Sequence, residues 1–302
     1  MSESSLADEE CRSRRPGDLR LGLAGDGSLR WVAVDLAAPL EEARASLDLS
    51  PVAAVALGRA AVAAALLLRF SIKVPGRLLL EIRGDGPLGK VFAEADDQGY
   101  VRGLVGKPRL ATPADGRLSI GWAVGQGTFK VTRQTERGVY ESQVELVSGE
   151  IAKDLVHYLE QSQQIRSAAL LGVQPRPTGI AEAGGLVIEA LPGTPEEVLK
   201  RLEANIAALG GVSLHLEDGG IEGLIDALLR DIDRRELERH ELRYGCGRGR
   251  ASLLQKLAHL TVEEVDSIVD AEGRFAADCV FCGRRYAISR DELIPVDDPT
   301  VH

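Results

Sequence analysis

The segment Asp278-Cys279-Val280-Phe281-Cys282-Gly283 carries two cysteines three positions apart, followed at once by glycine. Two thiolates on so tight a turn can reach one zinc ion at about 2.3 Å, and glycine accepts a left-handed bend after the second sulfur. A structural zinc site ordinarily has four ligands. Cys246, flanked by Gly245 and Gly247 and separated from Cys279 by 32 residues, can supply a third. A lone C-x-x-C is a weak signal; with the third cysteine it points to a metal centre built on Cys246, Cys279 and Cys282. The plain alternative is three ordinary thiols in a small hairpin. A thioredoxin-like redox pair would need a βαβ pattern around it, and a catalytic three-cysteine zinc would need an acid/base glutamate in a set context. Neither is seen. His240 and His259 are the nearest imidazoles, but both sit in polar helical stretches and read as surface residues, so the fourth ligand stays open. No nucleophile motif, Walker loop or dinucleotide fingerprint is present. The chain is read as a binding protein, not an enzyme.

The elements that must position these cysteines come from 302 residues, enough for two domains of unequal size. Apolar residues make up 44% but aromatics only 4%, which implies an aliphatic core. A net charge of −10 argues against a general nucleic-acid binder, although basic clusters at 243–250 and 284–285 leave local RNA contact open. Residues 1–28 mix acidic and basic groups with no apolar core, so they read as a disordered leader rather than a secretory signal, and Cys11 within them reads as incidental. Residues 51–72 nearly reach the length of a membrane span. Arg59 and Arg69 interrupt them, however, and a central arginine costs about 2.5 kcal/mol or more in a bilayer, so a buried core helix is expected and no membrane contact. A cytoplasmic chain follows, and in that compartment paired cysteines bind metal or sense redox state more often than they form stable disulfides.

Residues 29–38 read as a strand, 40–48 as a helix, and Ser50-Pro51 as the capped start of the long alanine-rich helix. Strands are expected at 78–82, 90–95 and 100–105, separated by the turn sequences GDGP and DDQG. More strands follow to about 147, then a helix over 148–160 with Ile151, Leu155 and Leu159 at four-residue spacing, then a buried strand near 184–193. The fold class is α+β, with a mostly antiparallel sheet over 29–193. Thr194, Pro195 and Glu197 read as a capping box opening a helical linker over 194–243, with helices at 194–209, 220–230 and 232–241. Residues 244–294 read as a small C-terminal zinc domain, with a capping box at Thr261–Glu264 and a tail at 295–302. So small a module has few large apolar groups, and zinc could contribute on the order of 10 kcal/mol to its folding.

Five segments together carry a resemblance: EEARASLDLSPVAAVALGRAAVAAALLL, GRLLLEIRGDGPLGKVFAEADDQGYVRG, VELVSGEIAKDLVHYLEQSQQIRSAALLGV, AGGLVIEALPG and CVFCGRRYAISRDEL. Over residues 29–294 the chain resembles the redox-regulated 33 kDa heat-shock chaperonin family of bacteria. The resemblance implies an N-terminal α+β domain, a metastable linker and a zinc domain. It implies an ATP-independent holdase that binds unfolding client proteins under oxidative stress. Four thiolates, C-x-C and C-x-x-C, hold zinc in the family. Oxidation joins neighbouring cysteines, ejects the metal, unfolds the linker and exposes apolar surface, and active members form homodimers. Cys246 matches the first cysteine of C-x-C, but Arg248 stands where the second belongs. Three ligands carry over, Cys246, Cys279 and Cys282, and only the Cys279–Cys282 disulfide remains available. An Arg248 cation beside the metal is expected to lower the pKa of nearby thiols yet repel zinc. Three outcomes are open: zinc held by three cysteines plus histidine or water, a zinc-free constitutive chaperone, or a switch run on Cys279 and Cys282 alone. The first is favoured. Leu199, Leu202, Ile206 and Leu209 are expected to form the face that a melted linker offers to clients. The competing class is a zinc-ribbon regulator that binds RNA or protein through Arg243, Arg248, Arg250, Arg284 and Arg285, with few aromatics to stack bases.

Overall fold

The computed structural model describes residues 12–71, 74–113, 119–164, 166–177, 179–245 and 250–293, so Cys11, Cys246 and Arg248 lie outside it. These residues form two compact units: Ser13–Tyr244, and Gly245 onward together with Arg12.

The large unit begins with β1 (Gly17–Ala24) and β2 (Leu29–Asp35), then α1 (Ala37–Leu47) and α2 (Pro51–Ser71). Next come β3 (Gly76–Gly84), β4 (Lys90–Asp96), β5 (Tyr100–Val105), α3 (Ile120–Val124), β6 (Gly127–Thr135), β7 (Gly138–Glu145) and α4 (Ala152–Gln163). It ends with β8 (Ser167–Arg176), β9 (Gly179–Ala190), α5 (Glu196–Ala208), α6 (Val212–Leu228) and β10 (Arg234–Tyr244). The sheet runs β7-β6-β3-β4-β5-β10-β1-β2-β9-β8. Every pairing is antiparallel except β10 with β5, which meet at Arg243↔Tyr100 and Tyr244↔Val101. Buried Tyr244 closes this seam, its hydroxyl donating to Gly103 O at 2.8 Å and accepting from Gly103 N–H at 3.0 Å.

The helix α2 lies at the centre of the core, with nearly every residue buried and contacts to both halves of the sheet. Its alanines let the strands approach closely, as a helix apolar all round requires. Ser50 caps it as expected, accepting from Ala53 N–H at 3.4 Å. The two arginines that interrupt its apolar run each find an acidic partner. Arg59 Nη1 donates to Glu150 O and Oε2 at 2.9 and 2.7 Å, and Arg69 pairs with Glu238.

Strand alternation divides the large unit into two cores. Val32, Val34 and Val187 face α2, whereas Trp31, Ala33, Leu186 and Ile188 face a second cluster formed by Leu202 and Leu209 of α5 and its C-terminus and by Leu216, Leu224, Ile225 and Leu228 of α6. Residues 194–243 are thus not a separate connector. Their helices α5 and α6 cover one face of β2 and β9, and β10 joins the sheet beside β1.

Three further expectations are corrected. Within the leader assigned to 1–28, Gly17–Ala24 is a strand paired on both sides, by β2 and β10. Its Leu19-x-Leu21-x-Leu23 alternation was hidden by the charged residues before it. Residues 232–241, read as a helix from their Arg, Glu and Leu content, instead fall largely in β10, because eight register pairs with β1 override helix propensity. Thr194 does not cap α5: its hydroxyl reaches the carbonyls of Leu191 and Ser28 at 2.6 and 2.9 Å, and Pro195 stands at the N-cap.

The helix expected from residue 148 begins at Ala152 because Asp154 gathers the preceding loop around its carboxylate. Asp154 is fully buried. It accepts from the backbone N–H groups of Val147, Ser148 and Ile151 at 2.8, 2.9 and 2.8 Å, with Gly149 N–H at 3.4 Å and Ser148 Oγ at 3.2 Å. Ile151 is held at φ 66°, an outlying conformation for a β-branched residue.

Candidate metal centre

The small unit contains α7 (Arg250–Leu257), α8 (Val262–Ile268), β11 (Arg274–Asp278), β12 (Arg285–Ser289) and α9 (Arg290–Leu293). Thr261 opens α8 with the expected capping box: Thr261 N–H donates to Glu264 Oε2 at 2.8 Å, and Glu264 N–H to Thr261 Oγ1 at 3.3 Å. The core is small. Val265, Ile288 and Leu293 are fully enclosed, and Leu253, Leu254, Leu257, Leu260, Val269 and Phe275 are half-buried around them.

The strands β11 and β12 form an antiparallel hairpin from Arg274↔Ser289 to Asp278↔Arg285, and the C-x-x-C segment is its loop. Cys279 N–H donates to Arg284 O at 2.9 Å, continuing the ladder, while Cys279 O accepts from Cys282 N–H at 3.3 Å and Gly283 N–H at 2.8 Å. Gly283 takes φ 68°, the left-handed bend that the sequence calls for after the second cysteine. Cys279 and Cys282 carry half-buried thiols. Two sulfurs on a rigid, amide-stitched turn suit a zinc ion in donor type and in backbone shape. Among the described residues no group of three His, Cys, Asp or Glu side chains stands together. Cys246, the third cysteine of the expected set, lies outside them. His259 does not join the pair, and His240 belongs to the large unit, beside Glu238 at 3.0 Å.

Three of the five basic residues proposed for nucleic acid have acidic partners, and Arg248 lies outside the described residues. Arg243, in the large unit, pairs with Glu241 at 2.9 Å; Arg250 pairs with Glu292 at 2.6 Å, and Arg285 with Asp278 at 3.7 Å. Of the apolar side chains expected to meet clients, Leu202, Ile206 and Leu209 sit in the second core and Leu199 is half-buried. What the sequence reading missed is the surface they cover, Trp31, Ala33, Leu186 and Ile188, although the alternation of β2 and β9 carries that signal.

Glu292 locks the end of this unit. The Arg250 guanidinium, then the Ser289 N–H and hydroxyl, hold its carboxyl at about 2, below its ordinary 4.5. A depressed folded value gives stability that is full above the unfolded value and lost as pH falls through the folded one. That side chain is 38% exposed, so screening limits the contribution to about 1 kcal/mol. Glu292→Gln should lower the small unit's stability by about that amount at neutral pH and flatten its acid loss between about pH 4.5 and 2, read by thermal melts across that range.

Together these features describe an α+β protein with a second helical core on one sheet face and a compact cysteine-hairpin module. A family model described as Hsp33 protein matches residues 18–289. The 33 kDa chaperonin of Thermus thermophilus is 43% identical over 291 residues, covering 92% of this chain and 85% of the relative. That of Symbiobacterium thermophilum is 42% identical over 281 residues, covering 91% and 95%. The crystal structure of the 33 kDa chaperonin, or heat shock protein 33 homolog, of Thermotoga maritima superposes with a TM-score of 0.81 at 31% identity, covering 91% of this chain and 96% of that one. The chain belongs to the Hsp33 family of chaperones, as its sequence segments imply.

Proposed function

We propose that this protein is an ATP-independent holdase of the bacterial cytoplasm whose client surface is folded away in the second core. The observation that carries the proposal is the division of the large unit into two cores on opposite faces of β2 and β9. Release of α5 and α6 would uncover Trp31, Ala33, Leu186 and Ile188 together with the helices' own leucines, while the core around α2 stays closed. Such a contiguous apolar area binds unfolding proteins, or a second copy of the chain as an active homodimer. Cys246, Cys279 and Cys282 are the residues that would hold zinc. When bound, the ion cross-links segments that a small core holds poorly. Oxidation of Cys279 and Cys282 by hydrogen peroxide joins their sulfurs in one disulfide and yields two water molecules, removing two donors. The linkage to the large unit is covalent and short, since Tyr244 ends β10 and Gly245 begins the small unit.

Peroxide titration of freshly reduced protein tests this reading, following zinc release, light scattering from a heat-unfolded client, and the fluorescence of Trp31. Trp31 is enclosed by the second core and Trp122 is exposed, so a Trp122→Phe background isolates the reporter. One zinc per chain should be lost as Trp31 emission shifts to the red and client scattering falls. Suppression in the zinc-free protein before any oxidant is added would mean a constitutive chaperone. No suppression in either redox state would sink the holdase reading.

A further inference from the structure

The helix α6 meets the sheet through two kinds of side chain. Its second half, after the bend at Gly220 (φ 60°), buries Ile221, Leu224, Ile225 and Leu228, the spacing of one apolar helix stripe. Glu222 and Asp226 lie one turn apart beside that stripe and reach arginines of the sheet. Glu222 pairs with Arg20 of β1 and with Arg234 of β10, and Asp226 pairs with Arg234 at 2.7 Å. Before the bend the pattern occurs once more, where Glu217 pairs with Arg176 of β8 at 3.0 Å. In each of these pairs the carboxylate is on the helix and the guanidinium is on the sheet.

The two arginines border the apolar surface that α6 covers. Arg20 stands opposite Ala33 in the β1–β2 register, and Arg234 opposite Ala24 in the β1–β10 register, both alanines being members of the second core. The Arg20 side chain is only 12% exposed. Asp18 at 2.7 Å, Glu236 at 3.8 Å and Asp35 nearby offset part of its charge. Arg234 differs: among the described residues both of its ion pairs go to α6. Lifting the helix away therefore leaves an apolar face with a half-buried cation at its edge, and such a cation favours an occupant that brings a carboxylate.

We propose that α6 fills the client surface as an internal mimic of a client. The surface selects unfolded segments that carry two carboxylates one helical turn apart beside an apolar stripe, which Arg234 and Arg20 receive. The stripe supplies adhesion and the arginines supply the choice among segments. This inference rests on the holdase reading above and gives that surface its preferred partner.

The test uses the full-length protein in the state that suppresses client aggregation, with two fluorescently labelled peptides. One has the sequence of residues 212–228, and the other carries Glu222→Gln and Asp226→Asn within it. The acidic peptide should bind roughly fivefold tighter at low salt, and the gap should close near 1 M salt, where charges more than about 3 Å apart are screened. Arg234→Glu protein should prefer the neutral peptide, a reversal that a loss of folding would not produce. Equal affinity of the parent protein for both peptides at low salt, with clients still held, overturns the selection and leaves the holdase reading standing. Binding of neither peptide by a protein that holds clients overturns the mimicry. Peptide affinity that weakens as protein concentration rises means that a second copy fills the surface, and overturns it as well. A protein that holds no client in any state ends the holdase reading and this inference together.

Discussion

Cys279→Ser is expected to abolish the fold of residues 250–293 while Ser13–Tyr244 keeps its own. Among the described residues the core cluster of the small unit encloses three side chains fully, Val265, Ile288 and Leu293. Modules of this size draw much of their stability from a cross-link or a metal, and a structural zinc contributes on the order of 10 kcal/mol of apparent folding free energy. On the proposed zinc reading, removing one sulfur donor takes away the largest single stabiliser. The surface pair Arg250–Glu292 is worth about 1 kcal/mol or less and cannot replace it. The large unit has two cores of its own and shares none of this dependence. Hydrogen exchange read by mass spectrometry separates the two. In the variant, amides of β11, β12 and the Cys279–Arg284 loop should exchange at unfolded rates, with unchanged protection in β2, β9 and α2. Full protection of the hairpin in Cys279→Ser, or in chelator-treated protein, would mean that the small apolar core suffices and that zinc is dispensable to the fold.

Asp154→Ala should be the most damaging single substitution in the large unit. The carboxylate is fully buried and serves as common acceptor for the loop between β7 and α4, with the N–H groups of Val147, Ser148 and Ile151 within 2.9 Å. Alanine leaves these donors without their carboxylate acceptor, at about 1–3 kcal/mol for each buried group that stays unsatisfied. It also frees Ile151 from its strained conformation, so the loop that presents Glu150 to Arg59 and to Gly121 N–H loses its shape. A total of about 3–5 kcal/mol corresponds to a fall in Tm of roughly 10 °C or more for a unit of this size. Asp154→Asn keeps one oxygen acceptor and should fall between the parent and alanine. Thermal melts of the three proteins decide it. Equal stability of Asp154→Ala and the parent would show that the loop finds other acceptors.

Much of the large unit is legible in the sequence because its signals are local. The alanine-rich helix, the strands of residues 76–105 and the glycine after the second cysteine depend on periodicity and turn chemistry, and all appear as expected. The misreadings share one physical cause. Residues 234–244 have the composition of an exposed helix, and only the distant β1 makes them a strand. Thr194 has the spacing of a cap, but the Leu191 and Ser28 carbonyls compete for its hydroxyl. At the candidate centre the C-x-x-C turn is a local feature and could be read. The bridge between Arg12 and Gly245 joins segments more than two hundred residues apart and leaves no trace in either.

Ser13 and Tyr244, the first and last residues of the large unit, are hydrogen-bonded to each other. A fold whose ends meet is closed on itself, and its sequence could be cut and rejoined elsewhere without changing its shape. The cysteine module is then a passenger attached at one doorway. Substitutions within it can accumulate while the two cores of the large unit stay untouched.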